Sequence, residues 1–193
     1  MKKERLFTIP NILSFYRLIS FPFLFILCLK GIEDWFAILL IINLITDILD
    51  GFIARNFNQQ TALGARLDSL ADIGSYILAI MGVFIFKWDI ISQHLPSFLT
   101  FLGFYLMTIV FSLIKFGKFT SFHLYSSKIG GYLQGSFFVL LFSGFFFQPF
   151  YLLVMTWGIL SFIEHLSLQI MIPELKSNLK GLYWFLKSKK YSQ

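Results

Sequence analysis

Long apolar segments set the strongest limit on how this 193-residue chain can fold. A helix needs roughly 20 apolar residues to cross a bilayer. About six windows of that length are apolar enough, and they cover residues 11–30, 35–56, 64–86, 95–114, 129–147 and 150–172. With 57% hydrophobic and 13% charged residues, the chain is too apolar for an ordinary soluble domain. We therefore predict an all-α integral membrane protein with about six transmembrane helices in a single domain, 1–193.

The two ends of the chain are more basic than the segments between them. Residues 1–10 carry three basic side chains before Pro10 and predict a short interfacial segment ahead of the first span. Residues 173–193 form a basic tail that contains Tyr183 and Trp184, which is typical of a helix at a membrane surface. We predict that this tail is cytoplasmic.

The positions of the basic residues predict the orientation. If both termini and the connections 57–63 and 115–128 are cytoplasmic, only Lys30 and Lys87 fall on the other side, against 14 of the 16 basic residues nearer the cytoplasm. This is a positive-inside asymmetry, and we expect a bacterial inner (plasma) membrane. The net charge of +6 comes from residues that flank spans, so anionic lipids are the expected partner and nucleic acid is not.

Four carboxylates interrupt the second and third apolar segments. Asp47 and Asp50 are three residues apart and Asp68 and Asp72 are four apart, so each pair shares one helix face. A carboxylate at membrane depth costs a few kcal/mol or more, so these groups must face one another, water or cations. Oxygen ligands without nearby His or Cys suit hard cations, and four can hold two ions. We predict two Mg²⁺ or Mn²⁺ ions.

Small residues and an arginine accompany the aspartates. Gly51 and Ala54 share the aspartate face of the first pair, and Gly64 lies one turn before Asp68, so a ligand could approach the backbone there. Arg55, at the end of the same helix as the first pair, can bind phosphate oxygens through two N–H groups. These residues predict a diphosphate held by metal ions and arginine.

The complete pattern, D-x-x-D-G-x-x-A-R, eight residues, G-x-x-x-D-x-x-x-D, occupies residues 47–72. It resembles the signature of the CDP-alcohol phosphotransferase (CDP-alcohol phosphatidyltransferase) family at every fixed position. The resemblance implies transfer of a substituted phosphoryl group from a CDP-linked alcohol to an acceptor hydroxyl, with release of CMP. It also suggests a homodimer.

The same resemblance implies roles for individual residues. All four aspartates would hold the metal ions, and Asp68 and Asp72 would be catalytic, with Asp72 accepting the proton of the acceptor hydroxyl. The predicted CDP-binding residues are Asp50, Gly51, Ala54, Arg55 and Gly64.

The sequence indicates the acceptor alcohol less specifically than it indicates the type of reaction. Residues 10–17, with Pro10, Asn11 and Arg17, resemble the P-N-x-[LI]-[ST]-x-x-R opening of the phosphatidylglycerophosphate synthase branch, which joins CDP-diacylglycerol to glycerol 3-phosphate. Residues 67–72 also resemble the phosphatidylserine synthase branch, and Ser69 and Ile73 replace the Pro and Lys common in the first branch. Serine, inositol phosphate and a CDP-choline-type donor with diacylglycerol stay open.

Three basic residues are candidate acceptor ligands. Arg17 could bind a phosphate or only extend to the membrane surface as a snorkelling side chain. Arg66 could neutralise charge beside the second aspartate pair, bind an acceptor phosphate or serve only as a surface cation. Lys128 keeps its place in a segment that resembles the family's second basic element, G-K-x-K-T-x-x-Q, although other positions depart from it. Glu164 could contact the acceptor or form a structural ion pair, and His165 has no assigned role.

Two other classes of protein could contain intramembrane aspartates. A cation transporter should carry polar residues along its whole depth, whereas the acidic residues here cluster at one end of the spans. A non-catalytic lipid-binding membrane protein could retain the motif after losing activity, but all the motif residues are present. Both alternatives are therefore less supported than an enzyme.

Overall fold

The computed structural model describes residues 8–118, 122, 124–173 and 179–190. Within these residues the chain forms helices joined by turns, with no strand among them. A short 3-10 turn, Ser92–His94, separates the fourth and fifth helices. The helices are α1 Ile9–Leu29, α2 Glu33–Asn56, α3 Ala62–Phe86, α4 Trp88–Ile91, α5 Leu95–Phe116, α6 Tyr125–Phe142, α7 Gln148–Met171 and α8 Leu182–Lys190.

Five of the described helical stretches are long and apolar enough to cross a bilayer, and they confirm an all-α membrane protein. They are α1, α2, α3, the run Trp88–Phe116 and α7. α6 lies where a further span is predicted, but the polar residues of its first half, including Ser126, Lys128 and Gln134, lower its hydropathy. The count of six therefore stays a prediction.

The ends of the chain are described only in part. α1 begins at Ile9 rather than after residue 10, because Thr8 caps it by accepting the Asn11 backbone N–H and a proline fits the first turn, where its missing N–H is not needed. That residues 1–10 lie at the membrane surface stays a prediction, and residues 1–7 lie outside the described residues. In the predicted tail, α8 is a nine-residue helix with exposed Tyr183 and Trp184.

Contacts between Cα atoms divide the chain into two compact units. The first comprises Met1–Ser92 and Phe138–Phe145, and the second comprises Gln93–Phe137 and Phe146–Gln193. α6 contributes to both units. That the two units together form a single domain, 1–193, stays a prediction.

In the first unit, α1 packs against both α2 and α3, which touch each other much less. The apolar part of this packing includes the fully buried Leu24, Phe36 and Leu40. The opposite side of α1 exposes more than half of Ile12 and Phe15, as expected of a surface that lipid covers. α1 is thus the central helix of the unit, and its inner face lies against both aspartate-bearing helices.

The second unit is built on the packing of α5 against α7. α8 rests on an apolar cluster formed by Phe122, Leu124, Leu168 and Ile172. The Glu164 carboxylate accepts hydrogen bonds from the Ser126 hydroxyl and, at 2.8 Å, from the Leu182 backbone N–H. Both donors are neutral, so in the described structure Glu164 caps the start of α8 instead of making the ion pair considered from the sequence.

Candidate active site

The four predicted aspartates surround one arginine. The Arg17 guanidinium on α1 contacts all of them: Nη1 lies 2.5 Å from Asp47 and 2.9 Å from Asp72, and Nη2 lies 2.6 Å from Asp50 and 2.7 Å from Asp68. The Arg17 side chain has no exposed surface. Such charge-assisted contacts are about twice as strong as neutral hydrogen bonds. We call these five residues the Arg–Asp cluster.

The spacing on each helix accounts for this convergence. The three- and four-residue separations put both aspartates of a pair on one face of α2 or α3, and α1 lies against both helices. Ser14, one turn before Arg17, donates its hydroxyl to the Asp50 carboxylate at 3.1 Å. Asp50 is therefore the most enclosed of the four, with only 4% of its side chain exposed against 42% to 52% for the others.

Three of the aspartates offer a set of oxygen ligands suited to a divalent cation. One carboxylate oxygen from each of Asp47, Asp50 and Asp68 lies within 4.8 Å of the other two. Carboxylates without imidazole or thiolate suit Mg²⁺ or Mn²⁺. The residues present thus fit a metal ion, and the position of a guanidinium among them shows that the cluster already favours positive charge. Asp72 is outside this set of three.

Three more of the predicted CDP-binding residues, Gly51, Ala54 and Arg55, lie along α2. Gly51 is one turn before Arg55, and a methyl group added to Gly51 would lie 3.4 Å from the Arg55 Nη1 atom. That distance is an ordinary van der Waals contact with an exposed side chain, so it does not by itself require a glycine. Ala54 is half-buried on the same helix. Their contact with a nucleotide stays a prediction.

Gly64 has a packing role that the sequence did not indicate. A methyl group built on Gly64 would collide with the Asn11 side chain on α1 and would lie 2.8 Å from the Thr61 hydroxyl. Thr61 caps α3 by accepting the Gly64 N–H at 2.9 Å, and it also donates to the Asn11 amide oxygen at 3.1 Å. Gly64 therefore allows the close approach of α1 and α3, whatever its role toward CDP.

We expect Gly64→Ala to lower the melting temperature of the purified protein, at a cost of about 1–3 kcal/mol from overpacking. Gly103→Ala is the matched control, because nothing lies within 4 Å of a methyl group at Gly103 on α5. A second substitution, Asn11→Ala, should recover part of the loss by removing the obstructing side chain. Equal melting temperatures for the two glycine variants, measured by thermal unfolding in detergent, would contradict the expectation.

The three candidate acceptor ligands have different environments. Arg17 makes its contacts within the Arg–Asp cluster and is buried, so in this structure it is neither a surface cation nor directed to lipid headgroups. Arg66 is exposed on α3, close in sequence to Asp68. Lys128 belongs to the second unit, where its ammonium lies 5.7 Å from the centre of the Tyr125 ring. Binding of an acceptor by any of them stays a prediction.

Several polar residues that support the cluster were not assigned from the sequence. Ser14 binds Asp50, and one turn after Arg17 the buried Ser20 exchanges hydrogen bonds with the buried Asn43 of α2. Asn43 is one turn before Asp47 on the same face. The signal was available as helical spacing, since Ser14, Arg17 and Ser20 are three residues apart and Asn43, Asp47 and Asp50 are four and three apart.

Comparison with known proteins identifies relatives that match part of the chain. CDP-diacylglycerol–glycerol-3-phosphate 3-phosphatidyltransferase of Cereibacter sphaeroides is 37% identical over 78 residues, which is 38% of this chain and 35% of that protein. The Escherichia coli protein of the same name is 44% identical over 70 residues, 34% of this chain and 38% of the relative. Rat cardiolipin synthase (CMP-forming) is 50% identical over 72 residues, 36% of this chain and 23% of the relative.

The matched segments thus cover well under two thirds of the length of these relatives. No solved structure matches the chain. The family model described as CDP-alcohol phosphatidyltransferase matches residues 7–163, which include α1, both aspartate-bearing helices and most of α7. The chain therefore belongs to the CDP-alcohol phosphatidyltransferase family.

Proposed function

We propose that this protein transfers a phosphatidyl group from CDP-diacylglycerol to glycerol 3-phosphate and releases CMP. The observation that carries the proposal is the convergence of all four signature aspartates on one point between α1, α2 and α3. The names of two relatives, each matched over about a third of this chain, support glycerol 3-phosphate as the acceptor.

The aspartates would hold two Mg²⁺ or Mn²⁺ ions, with Asp47, Asp50 and Asp68 as ligands and Asp72 at the edge of the site. Bound there, the ions would neutralise the diphosphate and stabilise the charge on departing CMP. Asp50 is enclosed and accepts a hydrogen bond from Ser14, so it is suited to act as a metal ligand in a fixed position. Asp72 has the most exposed side chain of the four, which suits a group that must meet an incoming substrate.

In the reaction, Asp72 would accept the proton of the acceptor hydroxyl. The hydroxyl oxygen then bonds to the phosphorus that carries the diacylglycerol, and the bond from that phosphorus to the bridging diphosphate oxygen breaks. CMP leaves with the electron pair. Arg55 would bind the diphosphate, with Gly51, Ala54 and Gly64 beside the nucleotide, and Arg17, Arg66 and Lys128 stay candidates for the acceptor phosphate.

The active site would face the cytoplasm of a bacterial inner membrane. Lys87 forms a 2.6 Å ion pair with Glu33, which joins the start of α2 to the end of α3. The aspartates lie in the other half of each of these helices, next to the connection 57–61. Lys87, one of the two basic residues predicted on the non-cytoplasmic side, therefore lies at the end of these helices opposite the aspartates. This arrangement supports the positive-inside orientation. We also propose a homodimer.

A second candidate acceptor is phosphatidylglycerol. The observation that favours it is the 50% identity to rat cardiolipin synthase (CMP-forming) over 72 residues. The chemistry at phosphorus would be the same, and only the acceptor would differ, by carrying its own acyl chains. A lipid acceptor would reach the aspartates from the bilayer, whereas glycerol 3-phosphate would reach them from water.

The deciding experiment measures CMP release by the purified protein in detergent with CDP-diacylglycerol and Mg²⁺. Glycerol 3-phosphate, phosphatidylglycerol, serine and inositol phosphate are supplied separately. We expect acceptor-dependent release with glycerol 3-phosphate, a phosphatidylglycerophosphate product, and loss of release in EDTA. Release with phosphatidylglycerol alone would favour the second candidate. Release with neither compound, from protein that binds CDP-diacylglycerol, would reject both.

A further inference from the structure

Arg17 is in an unusual position for a residue with only a supporting role. Its side chain is fully buried, and its two terminal nitrogens share four carboxylates on two other helices. Its third nitrogen, Nε, is buried without a hydrogen-bond partner among the described residues. A buried donor left unpaired costs about 1–3 kcal/mol. The guanidinium therefore contacts all four carboxylates but leaves its own Nε–H group without an acceptor in the described part of the chain.

The charges within the cluster do not balance. With all four carboxylates ionised, one guanidinium would leave three negative charges at a site flanked by membrane-spanning helices, where unpaired charge is costly. Two divalent cations would balance the four carboxylates completely. The guanidinium would then lose its electrostatic stabilisation. The carboxylates that it contacts would already be neutralised, and the nearby metal ions would repel it.

The guanidinium and the metal ions would also use the same three carboxylate groups. Oδ1 of Asp47, Oδ2 of Asp50 and Oδ1 of Asp68 contact Arg17 at 2.5 to 2.7 Å, and the three residues are those able to hold a cation together. A metal ion needs direct contact with carboxylate oxygens and repels the guanidinium. Full occupation by both is therefore unfavourable.

We propose that Arg17 is an exchangeable internal counter-cation, which holds the four carboxylates together before metal binds and leaves the centre of the cluster when divalent cations enter. This inference rests on the proposed metal-dependent function. In this role Arg17 is a positioning residue, because it acts by holding the metal ligands in place. Once displaced, its guanidinium could bind a phosphate oxygen and so satisfy Nε.

The first test compares Mn²⁺ binding by the unsubstituted protein, Arg17→Gln and Lys30→Gln, using electron paramagnetic resonance of free Mn²⁺. Lys30→Gln is the matched control, since it removes one positive charge from the exposed C-terminal end of the same helix. We expect Arg17→Gln to bind Mn²⁺ on the order of tenfold more tightly, because the competing cation is gone. The control should bind like the unsubstituted protein.

The same variants give a second readout in thermal unfolding. In EDTA, Arg17→Gln should melt lower than both other proteins because its carboxylates repel one another, and added Mn²⁺ should raise its melting temperature more than theirs. Unchanged or weaker Mn²⁺ binding by Arg17→Gln would overturn the proposal. That result would mean that Arg17 supports the metal ligands without competing with the ions.

A measurement without substitution decides the question if Arg17→Gln does not fold. The chain has four arginines, Arg5, Arg17, Arg55 and Arg66, so nitrogen-15 spectra of their side chains are simple. The Arg17 terminal N–H protons should exchange slowly with water in EDTA, and adding Mg²⁺ should speed that exchange at least tenfold. Slow exchange that persists at saturating Mg²⁺ would overturn the proposal.

These readouts separate this inference from the proposed function. They report on the metal and Arg17 and require no turnover. Mn²⁺ binding with an unmoved Arg17 would reject the inference alone, and the expected displacement in a protein that transfers no phosphatidyl group would reject the proposed function alone. A protein that binds no Mn²⁺ at the cluster would reject both.

Discussion

Asp68→Ala is expected to reduce CMP release by about 10³-fold or more, the scale of losing a group that stabilises charge in the transition state. Asp68 is one of the three residues whose carboxylate oxygens lie within 4.8 Å of one another, and it also holds Arg17 Nη2 at 2.7 Å. Removing it takes away a proposed metal ligand and one of the four carboxylates that contact Arg17. The measurement is CMP release with CDP-diacylglycerol and the acceptor, in membranes and after purification.

Asp34→Ala is the control for Asp68→Ala. Asp34 is an exposed acidic residue in the first turn of α2, far along that helix from Asp47 and Asp50. Its loss removes the same functional group and should leave CMP release within about twofold, because exposed charges at helix ends contribute only a few tenths of a kcal/mol. Normal product from Asp68→Ala membranes would refute the assignment of Asp68.

Asp72→Asn is expected to slow CMP release by about 10² to 10⁴-fold, which is the usual contribution of a general base. Unlike Asp68, Asp72 is not among the three aspartates that form the oxygen-ligand set. The asparagine keeps the shape of the side chain and can still accept a hydrogen bond from Arg17, but it cannot take a proton. We therefore expect kcat to fall while Mn²⁺ affinity falls much less than it does in Asp68→Ala.

The comparison of Asp72→Asn with Asp68→Ala separates a proton acceptor from a metal ligand. Both should lose turnover, but Asp68→Ala should lose much more Mn²⁺ affinity than Asp72→Asn. If Asp72→Asn turns over at the full rate, a group other than Asp72 must accept the proton of the acceptor hydroxyl. If its Mn²⁺ affinity falls as much as that of Asp68→Ala, then Asp72 is mainly a ligand.

Much of the fold could be predicted because apolar length and helical spacing are local properties. The predicted windows 11–30, 35–56 and 64–86 end within two residues of α1, α2 and α3. α6 was harder to classify, since the hydroxyls and Lys128 in its first half reduce its apolar character. The start of α1 was placed late because Pro10 was interpreted as a break, whereas a proline is well tolerated in the first turn.

The aspartates of the candidate site were also predictable in pairs. Two carboxylates on one helix face need an explanation wherever the helix crosses a membrane, and the spacing within 47–72 allowed the two pairs to be assigned to one site. In contrast, the packing of Asn11 against Gly64 and the capping of α8 by Glu164 depend on side chains that are distant in sequence. No periodicity within one helix indicates such contacts.

The amino-acid sequence was sufficient for the membrane-spanning helices, the paired carboxylates and a set of oxygen ligands suited to a hard cation, because these follow from composition and from residues at most a few turns apart. The tertiary structure alone placed Arg17 among the four aspartates, which are 30 to 55 residues away in the chain. That arrangement exists because α1 packs between α2 and α3, and helix packing is set by contacts across the whole unit.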